Sequence, residues 1–138
     1  MPIASAQVKS CLLLAALSSQ KNIKITEPKI TIDHTERMIE FFGGEILYEN
    51  NQNSKTIQLN YSELEPKNSF DVPGDFSSAA FIIVATIISK GSEVVIKNVG
   101  LNESRKGLLD VLLLMGANLE IKNKKKASNE IVGDIHIK

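Results

Sequence analysis

The sequence predicts an α/β fold of the repeating kind (an α+β repeat): two consecutive βαβαββ-type units, the first lacking its leading strand. Three observations predict it. Helix-period and strand-type segments follow one another in the same order twice. The landmarks of the two copies share one offset, because Gly43 and Gly116 (116 − 43) and Ser5 and Ser78 (78 − 5) are each 73 positions apart. Apolar residues make up 43% of the chain, with 5% aromatic and no Trp, so the core must be built from Ile, Leu, Val and Ala.

The first helix spans about Ser5 to Ser18, since Val8, Cys11, Leu12, Ala15 and Ala16 recur at helical spacing. A strand follows at Ile23 to Thr26. Asp33-His34-Thr35-Glu36 has the capping-box pattern, an Asp N-cap with Glu three positions on. The helix it opens carries Met38, Ile39, Phe41 and Phe42 and stops at Gly43-Gly44, where glycine supplies a left-handed cap. Strands at Glu45 to Glu49 and Lys55 to Asn60 flank the turn-rich loop Asn50 to Ser54. In the second copy a strand at about Ser69 to Val72 leads, followed by a helix at Ser77 to Ser89 and a strand at Glu93 to Lys97. A helix at Ser104 to Met115 and strands at Asn118 to Lys122 and Glu130 to Ile137 complete it.

The polar, proline-containing stretch Tyr61 to Asn68 reads as a linker, which places one unit at residues 1–68 and the other at 69–138. The first copy opens almost directly on its helix, so the chain is expected to start inside a structural unit, as an internal piece of a larger protein would. A sheet edge left without its neighbour is a liability that intact domains cover.

The 16 basic and 16 acidic residues cancel, which removes the bulk electrostatic case for nucleic acid or an anionic membrane. The basic run Lys122 to Lys126 has no interleaved aromatics and reads as a solvated hairpin loop. The longest apolar stretch, Ala79 to Ile88, is too short for the roughly 20 residues a bilayer requires. A single cysteine, Cys11, excludes an intrachain disulfide and reads as a buried, inert thiol in a cytoplasmic protein. His34 at a helix start and His136 on a strand are far apart, so neither a metal site nor a Ser-His-Asp arrangement is expected. No cofactor is implied.

The promising chemistry lies in Ser5-Ala6-Gln7-Val8-Lys9-Ser10. A hydroxyl, small residues, an amide and a cation surround the first turn of a helix, where free N–H groups and the positive end of the dipole favour an anion such as phosphate. Ser5 acting as an ordinary N-cap is the plainer alternative. Gly74-Asp75-Phe76-Ser77-Ser78 opens the second copy similarly, but no cation or long amide follows within its first turn.

Four motifs, in order, resemble the central part of the 5-enolpyruvylshikimate-3-phosphate synthase family: Ser5 to Ser10, Asp33-His34-Thr35-Glu36-Arg37-Met38, Val72-Pro73-Gly74-Asp75-Phe76-Ser77-Ser78-Ala79-Ala80-Phe81, and Gly107 to Val111 through Met115-Gly116-Ala117. The resemblance covers essentially the whole chain, whereas the family's enzymes are much longer. It implies a transferase of the shikimate pathway to chorismate and the aromatic amino acids. Such an enzyme moves the enolpyruvyl group of phosphoenolpyruvate to the 5-hydroxyl of shikimate 3-phosphate. The implied fold is two lobes, each of three βαβαββ units, with the chain crossing between lobes near Val72 to Asp75.

Carried onto this sequence, the resemblance implies that Ser5 binds the shikimate phosphate and that Ala6 occupies a serine-or-alanine position. Gln7 contacts shikimate 3-phosphate and lies next to phosphoenolpyruvate. Lys9 matches the motif and reads as a supporting charge or a solvated helix lysine. Many relatives carry an arginine that reaches the substrate just before the Asp-His-Thr-Glu motif; here it is Ile32, which cannot pair with a phosphate, and the hydroxyl of Thr31 beside it is the substitute candidate for substrate binding, with Lys9. The family's phosphoenolpyruvate clamp and acid/base groups fall outside this segment, so no catalytic residue is expected within it and the chain alone is expected to be inactive without the flanking segments. A different class of reading is a non-catalytic folding or interaction module that retains no substrate binding.

Overall fold

The 73-residue offset corresponds to two units with the same element order in the computed structural model, which describes residues 1–51 and 54–138. The units are Met1–Phe70 and Asp71–Lys138. Gln52 and Asn53 of the expected turn lie outside the described residues.

In the first unit, α1 (Ala6–Ser18), β1 (Ile23–Glu27), α2 (His34–Phe41), β2 (Glu45–Asn51) and β3 (Ser54–Asn60) form an antiparallel sheet of order β1-β3-β2 with both helices on its apolar face. Period-two alternation on the central strand points Ile57 and Leu59 inward, opposite Ile25 and Ile46. Leu13 and Ala16 of α1 and Ile39 of α2 close this core. Burying each such Leu or Ile fully is worth about 1.5–3 kcal/mol. The stripe that α1 turns inward is Lys9, Leu13 and Ala16. Cys11 falls between those positions and is exposed, which corrects the expectation of a buried thiol.

In the second unit, α3 (Phe76–Ile88), β4 (Val94–Gly100), α4 (Gly107–Leu114), β5 (Leu119–Ala127) and β6 (Glu130–Ile137) repeat the plan, with sheet order β4-β6-β5. Phe76, Ala79 and Ile83 pack on Val99, Leu109, Leu112, Ile135 and Ile137. Both α2 and α4 end in a glycine at positive φ, Gly43 at 84° and Gly116 at 86°, so the landmarks that set the offset are the helix stops.

Three elements differ from the sequence expectation. No regular strand forms at 69–72; the lead-in joins β4 through an isolated parallel bridge from Gly74 to Val99. Phe70 instead packs its ring on Phe41 and Phe42 of the first unit, and Pro73 has no N–H to donate to a ladder. The helix expected from Ser104 starts at Gly107, because the Asn102 side-chain oxygen captures both the amide and the hydroxyl of Ser104 and holds a turn there. The basic run Lys122 to Lys126 is exposed but belongs to β5 and not to a loop. The reversal is made by Ser128 and Asn129, both at positive φ, as in the two-residue hairpin turn whose twist matches that of the flanking strands. Asp134 stabilises the bulges on either side of β6 by accepting from Asn98 N at 2.9 Å and Asn123 Nδ2 at 2.8 Å.

A Cβ added at Gly44 would lie 2.3 Å from Ile39 Cγ2 and 3.0 Å from the Ile39 carbonyl. Gly44→Ala is therefore expected to destabilise the first unit by about 1–3 kcal/mol. Both tyrosines, Tyr48 and Tyr61, lie in that unit, so urea unfolding followed by tyrosine fluorescence reads it selectively. An unchanged midpoint would refute the packing assigned to Gly44.

Candidate functional site

Ser5 stands at the N-cap of α1 in extended conformation, and its Oγ accepts from Val8 N at 3.3 Å. The Ser5 hydroxyl in turn donates to Gln7 Oε1 at 3.3 Å, which turns the amide NH2 of Gln7 into the unengaged end of that side chain. Gln7 is exposed; Ser5 and Ala6 are half-buried. The Lys9 amide continues the helix by donating to Ser5 O at 3.0 Å. Among the described residues the amides of Ala6 and Gln7 have no acceptor. The first turn thus leaves two backbone donors open, at the end of the helix where the dipole favours negative charge.

The matching turn of α3 is chemically different. Asp75 caps it with both carboxylate oxygens, taking Ser77 N and Ser78 N at 3.0 Å each and the Ser78 hydroxyl at 2.8 Å. Arg105 Nη1 donates to Ser77 Oγ at 3.2 Å. The Ser78 hydroxyl, then the Ser77 and Ser78 amides, hold the Asp75 carboxyl below its ordinary range. This helix start carries its own anion, which occupies the Ser77 and Ser78 amides.

Lys9 is not a solvated helix lysine. It has no exposed surface, and its ammonium lies 2.7 Å from Glu36 Oε1 and 3.3 Å from Glu27 Oε2, both carboxylates also fully buried. The Glu36 contact is an ion pair and not an aligned hydrogen bond. Glu27 also accepts from Thr31 N at 3.2 Å and from the Thr31 hydroxyl at 2.7 Å. Ser10 Oγ and Thr35 Oγ1 share a hydrogen bond of 2.6 Å beside this cluster. Thr31 therefore commits its hydroxyl hydrogen to the interior, while Ile32 next to it is half-buried.

The capping box expected at Asp33 and Glu36 does not form, since Asp33 makes no side-chain cap to α2. Asp33 pairs with Arg37 at 2.9 Å, and Glu36 turns inward to Lys9, each carboxylate taking a cation in preference to a neutral amide. Sequence reasoning missed Glu27 and Glu36 as partners of Lys9. The available signal was period two: Ile25 and Glu27 share the buried face of β1, so a glutamate in phase with the core needs an internal cation. His34 is exposed at the start of α2. Among the described residues no group of three or more His, Cys, Asp or Glu side chains could hold a metal, and no helix is long and apolar enough to cross a membrane.

A family model described as EPSP synthase (3-phosphoshikimate 1-carboxyvinyltransferase) matches residues 1–137. The chain belongs to that family. It is 48% identical over 139 aligned positions to a 3-phosphoshikimate 1-carboxyvinyltransferase of Petrotoga mobilis, covering 99% of this chain and 31% of that protein. It is 46% identical to the protein of the same name from Clostridium tetani, covering 100% of this chain and 30% of the relative. Among solved structures, an EPSP synthase from Acinetobacter baumannii matches with a TM-score of 0.85 at 42% identity, over 99% of this chain and 30% of that one. The chain thus spans about a third of the length of its EPSP synthase relatives, and the α/β repeat expected from sequence is the fold they share over this region.

Two stability effects follow from this geometry. Removing one member of a fully buried ion cluster leaves the others uncompensated, so Lys9→Met is expected to destabilise the first unit by about 3–5 kcal/mol. Lys24→Met, which breaks the exposed pair with Glu49, is expected to cost less than about 1 kcal/mol. Urea unfolding by tyrosine fluorescence compares them, and equal losses would contradict the assignment. For Asp75, a folded pKa below the unfolded one means that the stabilisation is complete above the ordinary carboxylate range. It is lost as the pH falls through the lowered folded value. Asp75→Asn should flatten that acid dependence in α3 amide exchange; an unchanged profile would count against the cap.

Proposed function

We propose that this chain is the part of a 3-phosphoshikimate 1-carboxyvinyltransferase that receives the phosphate of shikimate 3-phosphate at the start of α1. The observation that carries the reading is the contrast between the two helix starts. One exposes the amides of Ala6 and Gln7 with a neutral Ser5 cap; the other is closed by Asp75. A phosphate monoester at Ser5 would accept from these amides and from the Ser5 hydroxyl, which would leave Gln7 Oε1 and turn to the ligand. Gln7, exposed and with its NH2 unengaged, would reach toward phosphoenolpyruvate beside it. These are binding roles. Lys9 and Thr31, both committed to Glu27, support the site from behind and do not touch the ligand.

In the whole enzyme the reaction is transfer of the enolpyruvyl group of phosphoenolpyruvate to the 5-hydroxyl of shikimate 3-phosphate with release of phosphate, in the cytoplasm. The first unit belongs to one lobe and the second to the other, with the crossover near Val72 to Asp75. Flanking segments of the same enzyme supply the phosphoenolpyruvate clamp and the proton-transferring groups, so this chain by itself has no turnover. The large apolar side chains left open on the helices of the second unit, Phe81, Ile88, Leu114 and Met115, support that reading, because such surface is what further units of a longer protein would cover.

Calorimetric titration of shikimate 3-phosphate into the chain is expected to give saturable binding that Gln7→Ala weakens about tenfold, a loss in the range of one hydrogen bond to a charged group. With phosphoenolpyruvate added, no product should form. Absence of binding would favour the bare folding module, and turnover by the chain alone would refute the division of labour.

A further inference from the structure

A helix start with open amides has a mechanical problem that the two units solve differently. The first turn of a helix frays unless something holds it, and the usual restraint is a side chain that occupies its free amides. In α3 that restraint is Asp75, which takes two amides and so removes them from any ligand. In α1, among the described residues, the cap is Ser5 Oγ on Val8 N at 3.3 Å, a long, neutral bond that leaves Ala6 and Gln7 open. A turn held only by that bond would be poorly ordered.

Lys9 follows directly on this turn, its amide bonded to Ser5 O, and its side chain runs into the interior to Glu27 and Glu36. Glu27 is itself fixed by the amide and hydroxyl of Thr31, and Glu36 sits in the first turn of α2. The ammonium is therefore gripped by β1 and α2 together. Such a cluster is a poor way to gain stability, since an apolar replacement of similar volume is often as stable. What the charges add is a fixed position.

We propose that Lys9 is a positioning residue: an internal anchor that takes the place of a charged cap, ordering the first turn of α1 while leaving the amides of Ala6 and Gln7 free for a phosphate. This rests on reading that turn as the phosphate site. The anchor and the ligand use opposite sides of the helix, because Lys9 lies on its buried stripe whereas Gln7 is exposed.

Lys9→Met alone strands two buried carboxylates, so the test uses the neutral variant Lys9→Met/Glu27→Gln/Glu36→Gln and, on that background, Ser5→Asp. Amide hydrogen exchange of the ligand-free chains is measured by NMR, with Ile57 and Leu59 reporting the core, followed by titration with shikimate 3-phosphate. In the neutral variant the core should keep its protection while the amides of residues 8 and 9 exchange about tenfold faster or more. The dissociation constant should rise about tenfold or more. Adding Ser5→Asp should restore protection of the turn without restoring binding, because the new carboxylate fills the amides. Unchanged exchange at residues 8 and 9 would overturn the anchor, as would faster exchange with an unchanged dissociation constant. If the unmodified chain binds no shikimate 3-phosphate, the phosphate reading fails. Exchange alone then decides the anchor, faster supporting it and unchanged overturning it.

Discussion

An ammonium enclosed between two carboxylates, with no water-exposed surface on any of the three, constrains most of what the first unit can be. Lys9 fixes the helix that carries it, Glu27 the end of β1 and Glu36 the start of α2, so three consecutive elements share one charged junction. Each charge alone would carry a large desolvation cost in that position. They are tolerable only together, which makes the junction all-or-none and sets the register of α1 on the sheet as firmly as Leu13 and Ala16 do. The loop between β1 and α2 follows from it, because Thr31 spends both its amide and its hydroxyl on Glu27.

The two units show how one architecture supports different chemistry. Their helix order, sheet order and glycine stops correspond, and both cores are built around a central antiparallel strand mainly from Ile, Leu and Ala, with Phe76 and Val99 added in the second. They differ where a helix meets solvent. The second unit closes its first helix with its own carboxylate and ties the loop before α4 to it through Arg105. The first unit puts its charges inside and leaves the helix start neutral and open. The internal repeat is therefore not a chemical repeat: the carboxylate of Asp75 closes one helix start, and the neutral Ser5 caps the other.

The fold was legible in the sequence where signals were periodic and redundant. Helix stops at Gly43 and Gly116 and the alternation on β3 and β6 follow from the residues themselves, whereas the face of α1 did not: of the expected stripe Val8, Cys11, Leu12, Ala15 and Ala16 only Ala16 is buried, because the charged Lys9 turns inward with Leu13. The strand expected at 69–72 did not form: Phe70 packs with Phe41 and Phe42, a tertiary contact with no local signature, and the two units divide directly after it. Lys122 to Lys126 misled through composition: an exposed edge strand rich in lysine is as polar as a loop, and charged edges are how sheets avoid pairing with other chains. At the site, the open turn at Ser5 to Gln7 could be read from spacing. The role of Lys9 could not, because the capping-box pattern gave Glu36 a sufficient local use and concealed its buried one.

The central claim is that α1, and not α3, is the anion-accepting helix start. Titrating the isotopically labelled chain with shikimate 3-phosphate, with inorganic phosphate as the reference, and following the amides of Ala6 and Gln7 against those of Ser77 and Ser78 tests it directly. Saturable shifts confined to Ala6 and Gln7, tighter for the shikimate ester than for phosphate, are the expected result. Equal responses at both helix starts, or none at either, would contradict it.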